Sequence, residues 1–271
     1  MIRAALFQMT SGIDPAANAA AIVAAAAEAK TGGAAMLFTP EMSGMLDRQR
    51  SRAAKTIRTE REDVVLAAAR DAAARDGIWV HLGSLAVVRE DGRWANRAFV
   101  IDERGEIRAR YDKLHMFDVD LATGETWRES SAYVAGDDVV TVETPLGRLG
   151  LSICYDIRFP ALYEALGRAR CDVIAIPAAF TVPTGKAHWH VLQRARAIEA
   201  SAYVLSAAQA GRHEDGRETY GHSLAIDPWG DVLLDMGGES PGVGFVELDS
   251  ARIAEVRAQL PSLANRRAIA K

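Results

Sequence analysis

The chain has 271 residues, 49% of them hydrophobic, and a formal net charge of −4. That is enough apolar material for a sizeable core in one domain, and the acidic balance leaves no field for phosphate backbones, so no nucleic-acid partner is expected. No apolar run approaches the roughly 20 residues that span a bilayer, and the segment from Met1 to Gln8 reads as a strand rather than a leader, so a cytoplasmic chain without a membrane partner is expected.

Ile2–Gln8 reads as the first strand, Asp14–Thr31 as an Ala-rich helix and Ala35–Phe38 as a second, buried strand. Thr59–Asp76 carries Val64, Val65, Ala68 and Ala72 at helical spacing, and Ile78–Leu85 returns to strand. Ala98–Ile101 and Ile107–Tyr111 flank Asp102-Glu-Arg-Gly105, a hairpin turn. Val139–Thr144 and Leu149–Ile153 flank another turn, Pro145-Leu-Gly-Arg148. A helix over Pro160–Arg168, a strand at Val173–Ile176 and a helix over Ala187–Ala200 follow. Strands at Tyr203–Ala207, Ser223–Ile226, Val232–Asp235 and Gly244–Leu248 come next, with Asp227-Pro-Trp-Gly230 as a turn. The last helix is Ser250–Gln259, with Ser250 placed as its N-cap. Strands that alternate with helices and later form hairpins predict an α/β fold, mixed sheets covered by helices in one domain. The tail after Pro261 has no evident partner in the chain and is expected to fray or to pack on another subunit.

The chain holds two cysteines, Cys154 and Cys171. The helix between them, at about 1.5 Å per residue, keeps the sulfurs beyond bridging distance, so reduced thiols are expected. Cys154 ends the apolar run Leu149-Gly-Leu-Ser-Ile, and Pro160 opens a helix soon after. That layout presents one nucleophile at a strand tip, against the N–H groups of a turn and a helix start.

A thiol hydrolase also needs a base, an oxyanion donor and an acid for the leaving group. Of the six histidines, His81 lies in an apolar strand and reads as a satisfied core residue. His188 and His190 bracket Trp189 at a helix start, and spacing alone leaves a Cys–His pair open. Two other segments run from an apolar strand into a charged residue: Ala35-Met-Leu-Phe-Thr-Pro40-Glu41 and Ile107-Arg-Ala-Arg-Tyr111-Asp-Lys113. Singly, Glu41 and Lys113 read as solvated surface charges. Three reactive groups at strand ends, however, converge on one site when the strands share a sheet edge. A carboxylate among apolar walls is expected to have a raised pKa and to take a proton from a thiol. A neighbouring ammonium would steady the thiolate and the oxyanion of a tetrahedral intermediate.

Pro40-Glu41-Met, Tyr111-Asp-Lys113-Leu-His115 and Ile153-Cys154-Tyr-Asp-Ile-Arg158-Phe-Pro160 resemble, in order, the three signature blocks of the nitrilase superfamily, the carbon–nitrogen hydrolases. The similarity runs from Met1 to about Leu260. It implies a four-layer αββα sandwich as a domain over 1–260, a tail over 261–271, and a Glu41–Lys113–Cys154 triad. It also implies a second glutamate that orients the lysine, for which Glu129 in Trp127-Arg-Glu-Ser130 matches better than Glu125. Ala179-Phe-Thr-Val-Pro-Thr-Gly185-Lys-Ala-His-Trp189, Arg194-Ala-Arg-Ala-Ile-Glu199, Ala207-Ala-Gln-Ala-Gly-Arg-His213 and Tyr220-Gly-His-Ser223 are most similar to the deaminated glutathione amidase branch, and next to omega-amidase. His190 stands where those branches usually carry Glu, and Lys186 where Pro or Glu is common.

The implied reaction converts the terminal carboxamide of a small carboxylate-bearing substrate to acid and ammonia through a Cys154 thioester. Lys113 and the Tyr155 backbone N–H would hold the oxyanion, and no metal or other cofactor is expected. Arg158 offers a bidentate fork to a substrate carboxylate, or an ordinary salt bridge with Asp156 or Glu164. Thr184 could bind the same carboxylate or serve a turn. Phe180 and Trp189 could wall the pocket or belong to the core. The resemblance further implies a homodimer, with the helices after Cys154 and around Ala187–Ala200 at the contact. An N-carbamoyl amino acid hydrolase on the same triad and a non-catalytic scaffold remain alternatives.

Overall fold

The computed structural model describes residues 1–120, 124 and 126–267, so Glu125 and the end of the tail lie outside the described residues. In chain order come β1 (Ile2–Gln8), α1 (Pro15–Thr31), β2 (Met36–Phe38), the single-turn α2 (Arg50–Ala53), α3 (Val64–Asp76) and β3 (Trp79–Val88). Then follow β4 (Trp94–Ile101), β5 (Ile107–Asp112), β6 (Asp118–Asp120), β7 (Thr126–Arg128), β8 (Thr141–Thr144) and β9 (Gly147–Leu151). The remainder is α4 (Pro160–Arg168), β10 (Val173–Ala175), α5 (Val182–Ala200), β11 (Tyr203–Ser206), β12 (Ala210–Arg212) and β13 (Glu218–Tyr220). The chain then runs through β14 (Leu224–Ile226), β15 (Val232–Asp235), β16 (Gly242–Leu248) and α6 (Ser250–Gln259).

Two six-stranded mixed sheets, ordered β16-β1-β2-β3-β4-β5 and β15-β14-β11-β10-β9-β8, face each other. The two-residue period of the strands assigns their faces. In the first sheet Ala4, Leu6, Met36, Phe38, Ala98 and Val100 point into the core shared with the second sheet. Ala5, Phe7, Leu37, Phe99 and Ile101 point the other way, onto α1 and α3. The Ala-rich faces of those helices let them lie close together on the sheet. On the second sheet, Leu162, Leu166 and Trp189 of α4 and α5 cover the outer side. The result is the four-layer αββα sandwich.

The hairpin at Asp102-Glu-Arg-Gly105 forms as its turn residues require, with Asp102 accepting from the N–H groups of Arg104 and Glu106. Several details differ from the sequence reading. α5 begins at Val182, not Ala187, because Pro183 tolerates the first helical turn; Thr184 and Lys186 are therefore helical. The N-cap of α6 is Asp249, whose carboxylate accepts from Ala251 N–H, and Ser250 is the first helical residue. His81 is buried in the inter-sheet core beside Phe38, but neither ring nitrogen meets a partner among the described residues, so it is not satisfied there. Both cysteines are free and buried. After α6, Leu263 lies against Gly167, and Arg266 donates to the Glu164 carbonyl of α4. No helix among the described residues is long and apolar enough to cross a membrane.

Candidate active site

Glu41 lies just beyond the end of β2, where Pro40 stops strand pairing. The turn is held by β3, which bulges between Leu82 and Leu85. Gly83 there passes so close to the chain that a Cβ would come within 2.0 Å of the Thr39 carbonyl and 2.5 Å of that of Pro40. Ser84 Oγ accepts from Met42 N–H, fixing Met42 at φ +55° directly after Glu41. Lys113 follows β5. Because β4 is antiparallel to both β3 and β5, β5 runs in the direction of β2 and β3 and delivers Lys113 to the edge that carries Glu41.

Cys154 comes from the other sheet, past the end of β9, and opens a 3-10 turn that runs to Arg158. Its φ of +48° is sterically costly for a side chain with a Cβ and turns the thiol out of the strand line. The Cys154 N–H donates to Pro177 O, at 2.9 Å. Asp156 locks this turn to the first sheet. Its buried carboxylate accepts from Ile153 N–H, Tyr111 Oη and His115 N–H, and His115 Nδ1 lies 2.7 Å away. The nucleophile and the lysine loop are thus tied through one side chain.

Lys113 Nζ donates to Glu41 Oε1 at 2.9 Å and to Glu129 Oε2 at 2.8 Å. Asn96 Nδ2 donates to Oε1 of both carboxylates, at 2.9 and 3.1 Å. Glu41 Oε2 accepts from Ala179 N–H at 3.0 Å, and Glu129 Oε2 from Phe117 N–H at 2.7 Å. Burial pushes the Glu41 carboxyl up, but Lys113, a hydrogen bond from the Cys154 thiol and Asn96 outweigh it, so its pKa lies below the ordinary carboxylate value. This corrects the expected rise: apolar walls are present, but an ammonium in contact counts for more. Burial and the Glu41 charge together hold the Cys154 thiol well above its ordinary pKa, against the pull of Lys113. Burial acts against the Lys113 ammonium, but Glu129 and Glu41 reverse it and keep its pKa well above normal. At rest a protonated thiol therefore faces a carboxylate, and thiolate forms only as the proton passes to Glu41.

These groups line a cavity of about 670 Å³, within the size range of small-molecule sites. Tyr155, Arg158, Phe180 and Thr184 line it too, so these four open onto the same space as Glu41, Lys113, Glu129 and Cys154. Arg158 makes no salt bridge with Asp156 or Glu164. Asp156 is consumed by the Cys154 turn, and Glu164 pairs with Arg168 and Arg266. The Arg158 guanidinium instead lies over Phe180 and Tyr155, 5.3 and 5.8 Å from their ring centroids, with His188 Nδ1 at 3.3 Å. Thr184 bonds Thr181 in the first turn of α5. Trp189 does not wall the cavity; it is buried behind Phe180. Sequence reasoning missed Asn96 and Asp156. Asn96 lay outside the strand expected at Ala98–Ile101 and carried no signal of its own, and nothing but its place beside Cys154 marked the second.

The family model described as carbon-nitrogen hydrolase matches residues 3–258. A deaminated glutathione amidase from Yersinia enterocolitica is 40% identical over 204 residues, 73% of this chain and 70% of that one. Another, from Synechocystis sp., is 48% identical over 182 residues, 66% of each chain. Among solved structures, the C. elegans NitFhit protein aligns with a TM-score of 0.89 at 35% identity, covering 98% of this chain and 65% of its own. A mutant amidase from Nesterenkonia sp. AN1, solved after Michael addition of acrylamide at its active site cysteine, aligns with a TM-score of 0.81 at 28% identity, over 96% of this chain and 98% of its own.

Proposed function

We infer that this chain, which belongs to the carbon-nitrogen hydrolase family, is a thiol-dependent amidase acting on a non-peptide amide of a small, carboxylate-bearing molecule. The observation that carries this reading is that buried Glu41, bonded to Lys113, lines one cavity with buried Cys154, beside an Arg158 with no carboxylate partner among the described residues.

Glu41 takes the thiol proton as Cys154 Sγ bonds to the amide carbon and the carbonyl electrons move onto oxygen. Lys113 Nζ and the Tyr155 N–H stabilise that oxyanion. The intermediate collapses, the carbon–nitrogen bond breaks, and Glu41 returns the proton to the departing nitrogen. Ammonia leaves from a carboxamide, or an amine from a substituted amide. A water deprotonated by Glu41 then cleaves the thioester, releasing the acid and restoring the thiol. Glu129 holds Lys113 in place throughout. Arg158 grips the distal carboxylate, Thr184 donates to it and Phe180 walls the chain between. Relatives named deaminated glutathione amidase support a substrate of that type, or a 2-oxo acid omega-amide. The chain acts as a cytoplasmic homodimer, and exposed Val191 and Ile198 on α5 support a subunit contact there. Residues 1–260 form the catalytic domain, and the tail begins against α4 of the same chain, through Leu263 and Arg266.

The test is product release against deaminated glutathione, 2-oxoglutaramate, N-carbamoyl amino acids and uncharged amides. The reading expects the carboxylate-bearing amides to win and Arg158→Ala to raise their KM alone. Equal turnover of uncharged amides, unaffected by Arg158→Ala, would remove the carboxylate clamp.

A further inference from the structure

On the far side of α5 from Phe180 and Thr184, three groups from three elements meet. His190 projects from α5, His222 from the loop between β13 and β14, and Asp235 ends β15. One nitrogen of each ring and a carboxylate oxygen all lie within 4.8 Å of one another. His190 Nε2 is 3.0 Å from Asp235 Oδ2, and His222 Nδ1 is 2.8 Å from Oδ1. None of the three lines the catalytic cavity.

We propose that His190, His222 and Asp235 form a three-ligand site for a divalent transition ion of the zinc class. The donor set decides the class of ion. Two imidazoles and one carboxylate suit zinc and its neighbours, whereas magnesium and calcium require oxygen donors. An ion about 2.1 Å from each ligand needs ligand atoms roughly 3.4 Å apart, so small side-chain movements from the present spacing admit it. The ligands are oriented before any ion arrives. Tyr220 stacks on His222 at 4.3 Å, His222 is held at φ +54°, and the Gly237 N–H donates to Asp235 Oδ1. All three remain partly exposed, which leaves an entry path and a fourth position for water.

Bound there, the ion would staple α5 to β15 and the β13–β14 loop. This concerns more than the surface. Trp189, next to His190, donates its indole N–H to the His222 carbonyl and packs on Phe180, the cavity wall. Gly185 of α5 lies so near Tyr220 that a Cβ would sit 2.2 Å from its ring. The ion would therefore brace the back of the substrate pocket without touching the reacting atoms.

The experiment titrates Zn2+ into the full, tag-free, chelator-stripped chain by calorimetry. A Cys154→Ala/Cys171→Ala chain is run in parallel, so that thiols cannot be the ligands. The expected result is one ion per chain in both, with a higher Tm in zinc and no such rise in magnesium. His190→Ala and Asp235→Asn should each weaken binding by at least the roughly 10- to 100-fold that losing even an outer-shell partner costs. Both variants should keep the far-UV spectrum and, with zinc absent from both, the amide hydrolysis of the parent. Cobalt substituted for zinc should give ligand-field bands without thiolate charge transfer. Binding lost with the thiols, binding unchanged in both ligand variants, or no saturable binding would each overturn the site.

Discussion

Asn96 donates from the middle of β4 to both Glu41 and Glu129, so its amide sets how the two carboxylates share Lys113. Removing it leaves the charges in place but loosens their geometry. Asn96→Ala is expected to lower kcat by about 10²-fold with little change in KM, as misplacement of a catalytic group does; an unchanged kcat in steady-state assays would show that Lys113 alone orders the pair. Glu41 must be ionised to accept the thiol proton. Burial raises its pKa but Lys113, Cys154 and Asn96 bring it down, so the acid limb of kcat/KM belongs below pH 4.5, the ordinary carboxylate position. An acid limb near neutrality in the pH–rate profile would point to a histidine base instead. Glu41, Lys113 and Cys154 were legible in the sequence because each is a reactive residue where an apolar strand ends. The direction of the Glu41 shift was not legible, since it depends on contacts made across 72 residues of chain.

At the scale of elements, the site is assembled from two sheets that share no strand, and Asp156 is the joint. It accepts from Ile153 of the nucleophile turn and from Tyr111 and His115 on either side of Lys113. Asp156→Asn replaces an acceptor-only group with one that also donates, so N–H must face donors. The expected cost is about 3 kcal/mol of stability, seen as a lower urea midpoint, together with about 10²-fold in kcat. A variant with full kcat would show that the sheets hold their register without this link. Most strands and helices could be read from periodicity. The exceptions have local causes. The helix expected from Ala187 starts at Val182, with Pro183 in its first turn, and Ser250 looked like a cap beside a better one, Asp249. Asp156 was offered, with Glu164, as an alternative salt-bridge partner for Arg158, because sequence proximity does not reveal which donors a fold brings from a distant strand.

For the molecule as a whole, His81 links stability to pH. Burial depresses its pKa from 6.5 to about 3, and its ring has no protein partner in the inter-sheet core. The unfolded chain therefore binds the proton more readily over that interval. Stability is full above pH 6.5 and falls by about 1.4 kcal/mol per pH unit as pH drops toward the folded value. His81→Phe should flatten that slope in urea titrations between pH 6 and 4; an unaltered slope would mean that other groups carry it. The αββα sandwich has a wider role, because it brings strand ends from both sheets to one cavity and keeps a thiol protonated until an amide arrives. Intact-protein mass spectrometry of the chain, quenched in acid during turnover of a carboxylate-bearing amide, tests that account most directly. It predicts an acyl group on Cys154, equal to the substrate without its amine, and neither adduct nor product with Cys154→Ala. Turnover by Cys154→Ala, or an adduct on any other residue, would contradict it.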